Sequence, residues 1–160
     1  MLIRKAIKAD LPEILNMIYE LAEFERAKDE VSISLSELEE DGFGSNPIFE
    51  VLLAVEKESI MGMAFYFYSY STWKGKCIYL EDIIIKNEYR SQGLGTQLFE
   101  AVIEKAKEMG VRRMQWQVLD WNEKAIDFYK KFDAQIDNSW LNGRLIESQI
   151  KNFSKVKISQ

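Results

Sequence analysis

Histidine is absent from this sequence of 160 residues, and cysteine occurs once, as Cys77. A chain without histidine cannot contain a Ser-His-Asp triad, a Cys-His pair, a histidine zinc site or an imidazole base. A single cysteine forms no internal disulfide and no cysteine metal cluster, and the apolar residues around Cys77 favour a buried thiol over a nucleophile. Any general base is therefore a carboxylate, a phenol, an amine or a thiol.

Long apolar runs are also absent. No stretch approaches the roughly 18 uninterrupted apolar residues of a membrane span, and the first residues lack the features of an export signal. Together with the single cysteine, these absences predict a cytoplasmic protein that does not bind membranes. Acidic residues outnumber basic ones by 26 to 21, and the resulting net charge of −5 argues against nucleic acid as a partner and suits a cationic substrate.

The sequence does contain enough apolar material for an ordered core, because 47% of its residues are hydrophobic. We predict a single domain over residues 1–150, followed by a C-terminal tail over residues 151–160. The acidic residues show no recognisable spacing of metal ligands, so no metal is expected.

Hydrophobic periodicity predicts alternating strands and helices, with N-caps at Asp10, Ser34 and Asn122 and a left-handed C-cap at Gly110. The predicted helices cover residues 11–25, 34–42, 94–109 and 122–131. The predicted strands cover residues 1–6, 49–55, 60–70, 77–85 and 114–118, with two more around a turn at Asn142-Gly143. This is an α/β (α+β) fold in which a mixed, mostly antiparallel sheet of about seven strands is flanked by about four helices.

The loop Arg90-Ser91-Gln92-Gly93-Leu94-Gly95-Thr96 joins an apolar strand to an amphipathic helix. Glycine lets backbone N–H groups turn inward, and a helix N-terminus adds partial positive charge, so the loop predicts a site for a phosphate or pyrophosphate. An ordinary strand-to-helix turn is the alternative interpretation. The loop lacks the Gly-Lys-Ser/Thr ending of a P-loop and the three glycines of a dinucleotide-binding fold.

With its surroundings, this loop resembles that of the GNAT superfamily of acyl-CoA-dependent N-acetyltransferases. Within it, the sequence is most similar to the diamine (spermidine/spermine) and thialysine acetyltransferases, from about Ile3 to Ile146. The motifs that carry the resemblance are Glu39-Glu40-Asp41-Gly42-Phe43-Gly44, Tyr79-Leu80-Glu81-Asp82, Tyr89 to Gly95, and Trp121-Asn122-Glu123 followed by Phe128-Tyr129-Lys130. The resemblance implies a GNAT fold with splayed central strands, acetyl-CoA as cosubstrate, a small cationic amine as substrate and a homodimer.

The resemblance also assigns residues to the two ligands. The expected cofactor-binding residues are Ile83, Ile84, Ile85, Arg90, Ser91, Gln92, Gly93, Leu94, Gly95, Thr96, Asn122, Glu123, Lys124 and Ala125. The expected amine-side residues are Phe24, Glu25, Glu81, Asp82, Gln115, Trp116 and Gln117. At Ile83 to Ile85 a core role and a binding role are compatible, since the backbone would bind while the side chains pack.

Acetyl transfer requires an uncharged amine, so some group must accept the ammonium proton. We expect Glu81 to accept it, directly or through water, because burial beside Asp82 would raise its pKa. Adjacent strand residues point to opposite faces, which predicts that only one of the two faces the substrate. Tyr129 occupies the position of the family's general acid and would protonate the departing thiolate. The alternatives are a solvated acidic pair and a packed aromatic ring.

Two positions depart from the family pattern. Asp133 stands where the family usually has glycine, and Leu141 stands where the polyamine enzymes carry glutamate. The second departure leaves thialysine, other diamines and small amino compounds open as substrates. Two other functions also remain open: a protein or peptide N-acetyltransferase, and a non-catalytic acyl-CoA-binding regulatory module.

Overall fold

The computed structural model describes residues 1–153, which fall into two compact units, Met1–Gln117 and a second that begins at Val118. The predicted tail over 151–160 therefore lies largely outside the described residues. Within the described part of the chain, no helix has both the length and the apolar character needed to cross a membrane.

The first unit is a five-stranded sheet in the order β1-β2-β3-β4-β5. All neighbouring strands are antiparallel except β4 and β5, which are parallel. The strands are β1 Leu2–Lys5, β2 Glu50–Glu56, β3 Ser59–Ser71, β4 Gly75–Ile85 and β5 Arg113–Gln115. The helices of this unit are α1 Leu11–Phe24, α2 Leu35–Phe43 and α3 Leu94–Glu108, with 3-10 turns at Lys8–Asp10, Lys28–Glu30 and Asn87–Tyr89. The second unit contains α4 Glu123–Lys130 and α5 Glu147–Lys151.

Apolar side chains cover both faces of the sheet. Ile14 and Met17 of α1 and Leu38 of α2 are fully buried in one cluster with residues of β2 and β3. The apolar residues of α3, among them Leu98 and Val102, are also buried, and this helix packs against β2, β3 and β4. Each such side chain stabilises the fold by about 1.5–3 kcal/mol, which explains why the helical periodicity of these segments is so regular.

All three expected N-cap residues stand at the starts of their helices, and two of them cap through the side chain. Ser34 accepts a hydrogen bond from the Glu37 amide at 3.2 Å in a capping box, and Asn122 accepts one from the Ala125 amide at 3.2 Å. Gly110 is left-handed, with φ +62°, as expected.

Asp10 is the N-cap residue of α1, as expected, but its side chain does not cap the helix. Its carboxylate accepts hydrogen bonds from the Arg4 guanidinium at 2.7 and 2.9 Å and from the Ile7 amide at 2.8 Å, and it caps no amide of α1. The charged fork of Arg4 is a stronger partner than a helix amide, and its hydrogen bonds lower the pKa of Asp10. The pair ties β1 to the start of α1.

The structure corrects the number of strands. The described residues contain five strands rather than about seven, since residues 118–153 form no strand around Asn142-Gly143. They contain five α-helices rather than about four, the addition being α5. A two-stranded hairpin without a neighbouring sheet is marginal in water, and Trp140 and Leu141 beside this turn remain exposed.

Candidate active site

The end of β4 has an open edge within the first unit. β4 pairs with β5 only from Cys77 to Tyr79, and then continues to Ile85 with β3 alone beside it. Alternate backbone N–H and C=O groups of such an edge point away from the neighbouring strand. Lys86 donates its N–H to β3, so Ile84 also faces β3, and within the expected cofactor-binding stretch Ile83 to Ile85 it is Ile83 and Ile85 whose backbone groups point to the open side.

A β-bulge interrupts β4 at Glu81. Leu80 pairs with Tyr66 and Asp82 pairs with Phe65, so Glu81 is an extra residue without a partner on β3. A bulge breaks the strict alternation of side chains and re-aims those beside it. The alternation argument that only one of Glu81 and Asp82 faces the substrate therefore does not hold at this point of the strand.

Three carboxylates and one phenol influence one another around this bulge. Burial, and then repulsion from Glu81 and Glu25, raise the pKa of Asp82 to about 7. Burial also raises the pKa of Glu81 and of Glu25, although both side chains keep solvent-exposed surface. Burial and the charges of Glu81 and Asp82 raise the pKa of Tyr79. Within residues 1–153 no cation offsets these shifts, so the cluster of Glu25, Tyr79, Glu81 and Asp82, hereafter the acidic pocket, favours a positively charged ligand.

The glycine loop leads from β4 into α3. Ser91 and Gly93 are both left-handed, with φ of +63° and +79°. Gly93 is the N-cap residue of α3, and without a side chain it leaves the first-turn amides of Leu94, Gly95 and Thr96 uncapped. Uncapped amides at the positive end of a helix dipole are the chemistry by which proteins bind anions, and the anion site expected here stays a prediction.

Arg90 links this loop to its surroundings. Its Nε–H donates to the Ile85 carbonyl oxygen at 2.9 Å, and its guanidinium carbon lies 5.8 Å from the centroid of the Phe24 ring. At the same end of β4, the Lys86 ammonium pairs with Glu13 of α1 at 2.6 Å. These contacts fix the end of the strand against α1.

The other expected residues divide between the two units. Gln115 pairs with Tyr79 at the end of β5, and the ring of Trp116 meets Phe99 edge to face at 5.3 Å between centroids. Gln117 follows as an exposed residue. The first unit therefore brings Glu25, Glu81 and Asp82 together.

In the second unit, Asn122 caps α4 while Glu123 and Lys124 are exposed. Tyr129 is buried and meets Phe128 edge to face at 5.2 Å. Asp133 is left-handed, with φ +57°, which explains why a glycine suits this position.

Sequence reasoning missed Tyr79 and Lys86. Tyr79 stands in the motif Tyr79-Leu80-Glu81-Asp82, and its closeness to Glu81 along the chain is the signal that could have found it. The pairing of Lys86 with Glu13 leaves no local signal, because its two partners are far apart in the sequence.

The family model described as the acetyltransferase (GNAT) family matches residues 11–134. The chain belongs to this family and is a GNAT acetyltransferase. A thialysine N-epsilon-acetyltransferase of Bos taurus is 43% identical over 142 residues, which cover 84% of this chain and 84% of that protein. A spermidine/spermine N(1)-acetyltransferase-like protein 1 of Homo sapiens is 32% identical over 148 residues, which cover 86% of this chain and 21% of that protein. These relatives confirm the resemblance to the diamine and thialysine branch.

A solved structure shares the fold. An aminoglycoside acetyltransferase from an uncultured soil metagenomic sample matches with a TM-score of 0.74 at 18% identity, covering 91% of this chain and 95% of that one. At this identity the match supports the fold alone.

Proposed function

We propose that the protein transfers the acetyl group of acetyl-CoA directly to a primary amine of a small cationic substrate, namely a diamine, a polyamine or a thialysine-like amino acid. The acidic pocket is the observation that carries the proposal, because it places three carboxylates together without a compensating cation in the described part of the chain. Such a pocket attracts an ammonium group, and a second ammonium adds a second attractive charge. The names of the relatives agree with an amine substrate.

The residues of the first unit fit acetyl-CoA. The uncapped amides of Leu94 to Thr96 would hold its diphosphate, with Ser91 to Gly93 shaping the turn. The open edge of β4 at Ile83 to Ile85 would hydrogen-bond the pantetheine arm and the acetyl carbonyl. A preorganised N–H donor at that carbonyl stabilises the negative charge that develops on its oxygen. Asn122 to Ala125, at the start of α4, are assigned to the cofactor by the family motif.

Two side chains are proposed to move protons. Glu81 accepts the proton of the substrate ammonium, and its raised pKa brings the carboxylate closer to the working range of a base. Asp82 and Glu25 hold the positive charge of the substrate beside it. Tyr129 donates its phenolic proton to the departing thiolate sulfur. The Tyr129 assignment rests on its place in the motif that begins at Asn122.

The protein is also proposed to act in the cytoplasm as a homodimer. The single cysteine, buried and free, suits a reducing compartment. In the second unit, Trp140 is 74% exposed and Leu141 is 96% exposed, which is unusual for large apolar side chains of a monomer.

An assay of thiol release tests the function. The purified protein is mixed with acetyl-CoA and, separately, with spermidine, putrescine, thialysine, lysine and a lysine-containing peptide, and the free thiol is followed by absorbance. Release is expected with the diamines or thialysine. Release with the peptide alone would instead favour a peptide acetyltransferase, and acetyl-CoA binding without release from any amine would favour a regulatory acyl-CoA-binding module.

A pair of related amines tests the role of the acidic pocket. We expect kcat/KM to be higher for 1,3-diaminopropane than for propylamine, and we expect Glu25→Gln to reduce this ratio. Glu100→Gln, which neutralises an exposed carboxyl on α3, serves as the matched control. An unchanged ratio in Glu25→Gln would contradict the assignment of the second ammonium to this pocket.

A further inference from the structure

Arg90 contacts residues assigned to both ligands. Its Nε–H donates to the carbonyl of Ile85, at the strand edge assigned to the cofactor, and its guanidinium lies over Phe24, on the amine side. Phe24 is the last residue of α1, and the next residue, Glu25, belongs to the acidic pocket. One side chain thus spans the distance between the cofactor loop and the acidic pocket.

We propose that Arg90 is a positioning residue that couples the two ligands, so that an anion held at the glycine loop orders Phe24 and Glu25 and thereby prepares the acidic pocket for the amine. This inference rests on the proposed function, since it requires both a CoA diphosphate and a cationic amine as ligands. The coupling is reciprocal, because a ligand that tightens the binding of another is itself bound more tightly by the same factor.

The donor inventory of Arg90 supports this role. A guanidinium has five N–H donors in one plane, and within the described part of the chain only the Nε–H of Arg90 has a protein acceptor, the Ile85 carbonyl. The donors on the two Nη atoms remain available to a diphosphate. An anion bound through them fixes the plane of the guanidinium, because the bidentate geometry allows little rotation. The guanidinium carbon lies 5.8 Å from the centroid of the Phe24 ring, so a fixed guanidinium also gives that ring a fixed neighbour.

The end of α1 connects the ring that Arg90 contacts to a carboxylate of the acidic pocket. Phe24 is 45% exposed, and its ring centroid lies 5.8 Å from the guanidinium carbon of Arg90. Glu25 follows as the C-cap residue, and α1 ends in a Schellman turn: Arg26 is left-handed with φ +61° and donates its amide to the Glu23 carbonyl at 3.1 Å, while Ala27 donates to the Ala22 carbonyl at 2.8 Å. This hydrogen-bonded turn holds Glu25 in a fixed relation to Phe24. A contact that holds Phe24 therefore also influences the direction of Glu25.

The test measures binding coupling without chemistry. Free CoA carries no acetyl group, so CoA and 1,3-diaminopropane bind together without reacting. Titration calorimetry gives the Kd of CoA with and without saturating diamine. We expect the diamine to lower this Kd, so that the ratio of Kd without diamine to Kd with diamine is about two to five, the range that corresponds to an exposed cation–π contact. In Phe24→Leu, which keeps an apolar side chain but removes the ring, this ratio is expected to fall to about one.

Three further variants define the contact. Arg90→Lys keeps the charge but lacks the planar fork and the Nε donor, so its ratio is also expected to fall towards one. Phe24→Tyr keeps the ring and is expected to keep the ratio. Tyr19→Leu removes another exposed ring from α1 and is the matched control, with the ratio unchanged.

The outcomes separate the inference from the proposed function. If CoA and the diamine both bind and the coupling survives in Phe24→Leu and Arg90→Lys, the inference is overturned while the proposed function stands. If the wild-type protein binds both ligands with no coupling, the inference is likewise overturned. If the wild-type protein binds neither CoA nor any amine of the panel, the proposed function fails and the inference fails with it.

Discussion

Among single residues, Asp82 is held where its ionisation is costly. It lies beside a bulge, half-buried, with two other carboxylates near it and, among residues 1–153, no cation to offset them. Such a group destabilises the fold when it is charged and no ligand is bound. A cationic amine would relieve the repulsion between the carboxylates. The unfavourable charge of Asp82 in the empty protein would therefore favour binding of the amine.

This cost predicts the pH dependence of stability. The pKa of Asp82 rises from 3.8 in the unfolded reference to about 7 in the folded protein, so the folded state retains a proton between these values that the unfolded state has lost. The contribution of Asp82 to stability therefore falls as the pH rises from about 4 to about 7 and is constant above that range. We expect Asp82→Asn to be more stable than the wild type at pH 8, by up to about 4 kcal/mol at 1.36 kcal/mol per pKa unit, and similar to it at pH 4.

Urea unfolding at the two pH values measures this difference. Glu100→Gln is the control for the loss of one negative charge at an exposed site, and its stability should change little at either pH. An Asp82→Asn protein that is no more stable than the wild type at pH 8 would contradict the burial of a charge at this position.

Tyr129 gives a second prediction at this scale. Tyr129→Phe removes the proton donor and keeps the ring packed against Phe128. If Tyr129 is the general acid, kcat with acetyl-CoA and the preferred amine is expected to fall by about 10²-fold or more. Calorimetry should find the Kd of CoA nearly unchanged, and Tyr19→Phe, which removes an exposed phenol from α1, should keep full turnover. Equal turnover in Tyr129→Phe would exclude the assignment.

The identity of these residues could be predicted from the sequence, but their environment could not. Glu81, Asp82 and Glu25 are expected on the amine side from the family resemblance. The charge repulsion at Asp82 depends on Glu25, which approaches from the end of a different element. The contact of Arg90 with Phe24 also joins elements that are distant in the chain. Distances between such residues are fixed by tertiary packing, and local sequence patterns carry no information about them.

Among the elements, β4 depends on close packing with β3. Gly62 pairs with Ile85, and a Cβ at Gly62 would lie 2.6 Å from the Ile84 carbonyl oxygen and 2.5 Å from Ile85 Cδ1. We expect Gly62→Ala to destabilise the protein by about 1–3 kcal/mol, because one strand must shift to admit the methyl group. The shift would also displace the edge assigned to the cofactor, so the Kd of CoA should rise.

Unfolding in urea and calorimetry with CoA check both effects of Gly62→Ala. Gly143→Ala is the control, because an added Cβ there has no neighbour within 4 Å. If Gly62→Ala matched the control in stability and in CoA affinity, the close approach of β3 and β4 would not be required.

Elements with strong periodicity agreed best with their sequence predictions. α1 and α3 carry apolar residues on one face and pack on the sheet, so their pattern and their tertiary contacts favour the same structure. β5 is shorter than expected, ending at Gln115, because strand length is set by pairing with a neighbour as well as by alternation. The bulge at Glu81 has no signal in the sequence, since alternation continues through the apolar residues around it.

At the scale of the whole molecule, the described part of the second unit has large apolar side chains that are exposed to solvent in the single chain. The segment from Ile136 to Phe153 contains large apolar side chains that are exposed: Ile136, Trp140, Leu141, Leu145, Ile146, Ile150 and Phe153. Two strands were expected here from β-forming residues around a turn. Residues of this kind form a strand only where the edge of another strand is available for pairing. The sequence of one chain does not say whether such an edge is present.

This surface predicts the mass of the protein in solution. Light scattering after gel filtration should give twice the mass of one chain, as expected of a homodimer. The double variant Leu141→Glu with Leu145→Glu should shift the protein towards the mass of one chain, because charged side chains at an apolar interface must lose their hydration. Asn138→Glu adds charge to the same segment at a polar position and should remain dimeric. A wild-type protein with the mass of one chain would contradict the prediction.

The open edge of β4 has a consequence for how this chain tolerates change. An amide offers the same donor and the same carbonyl whatever side chain it carries, so exchanging isoleucine for valine at the partly buried positions 83 and 85 should be almost silent. Proline is different, because it has no N–H to offer and fixes its own backbone angle. In a saturation library selected for acetylation, we expect positions 83 and 85 to accept most branched apolar residues and to reject proline, a pattern that core packing alone would not produce on an edge without a neighbouring strand.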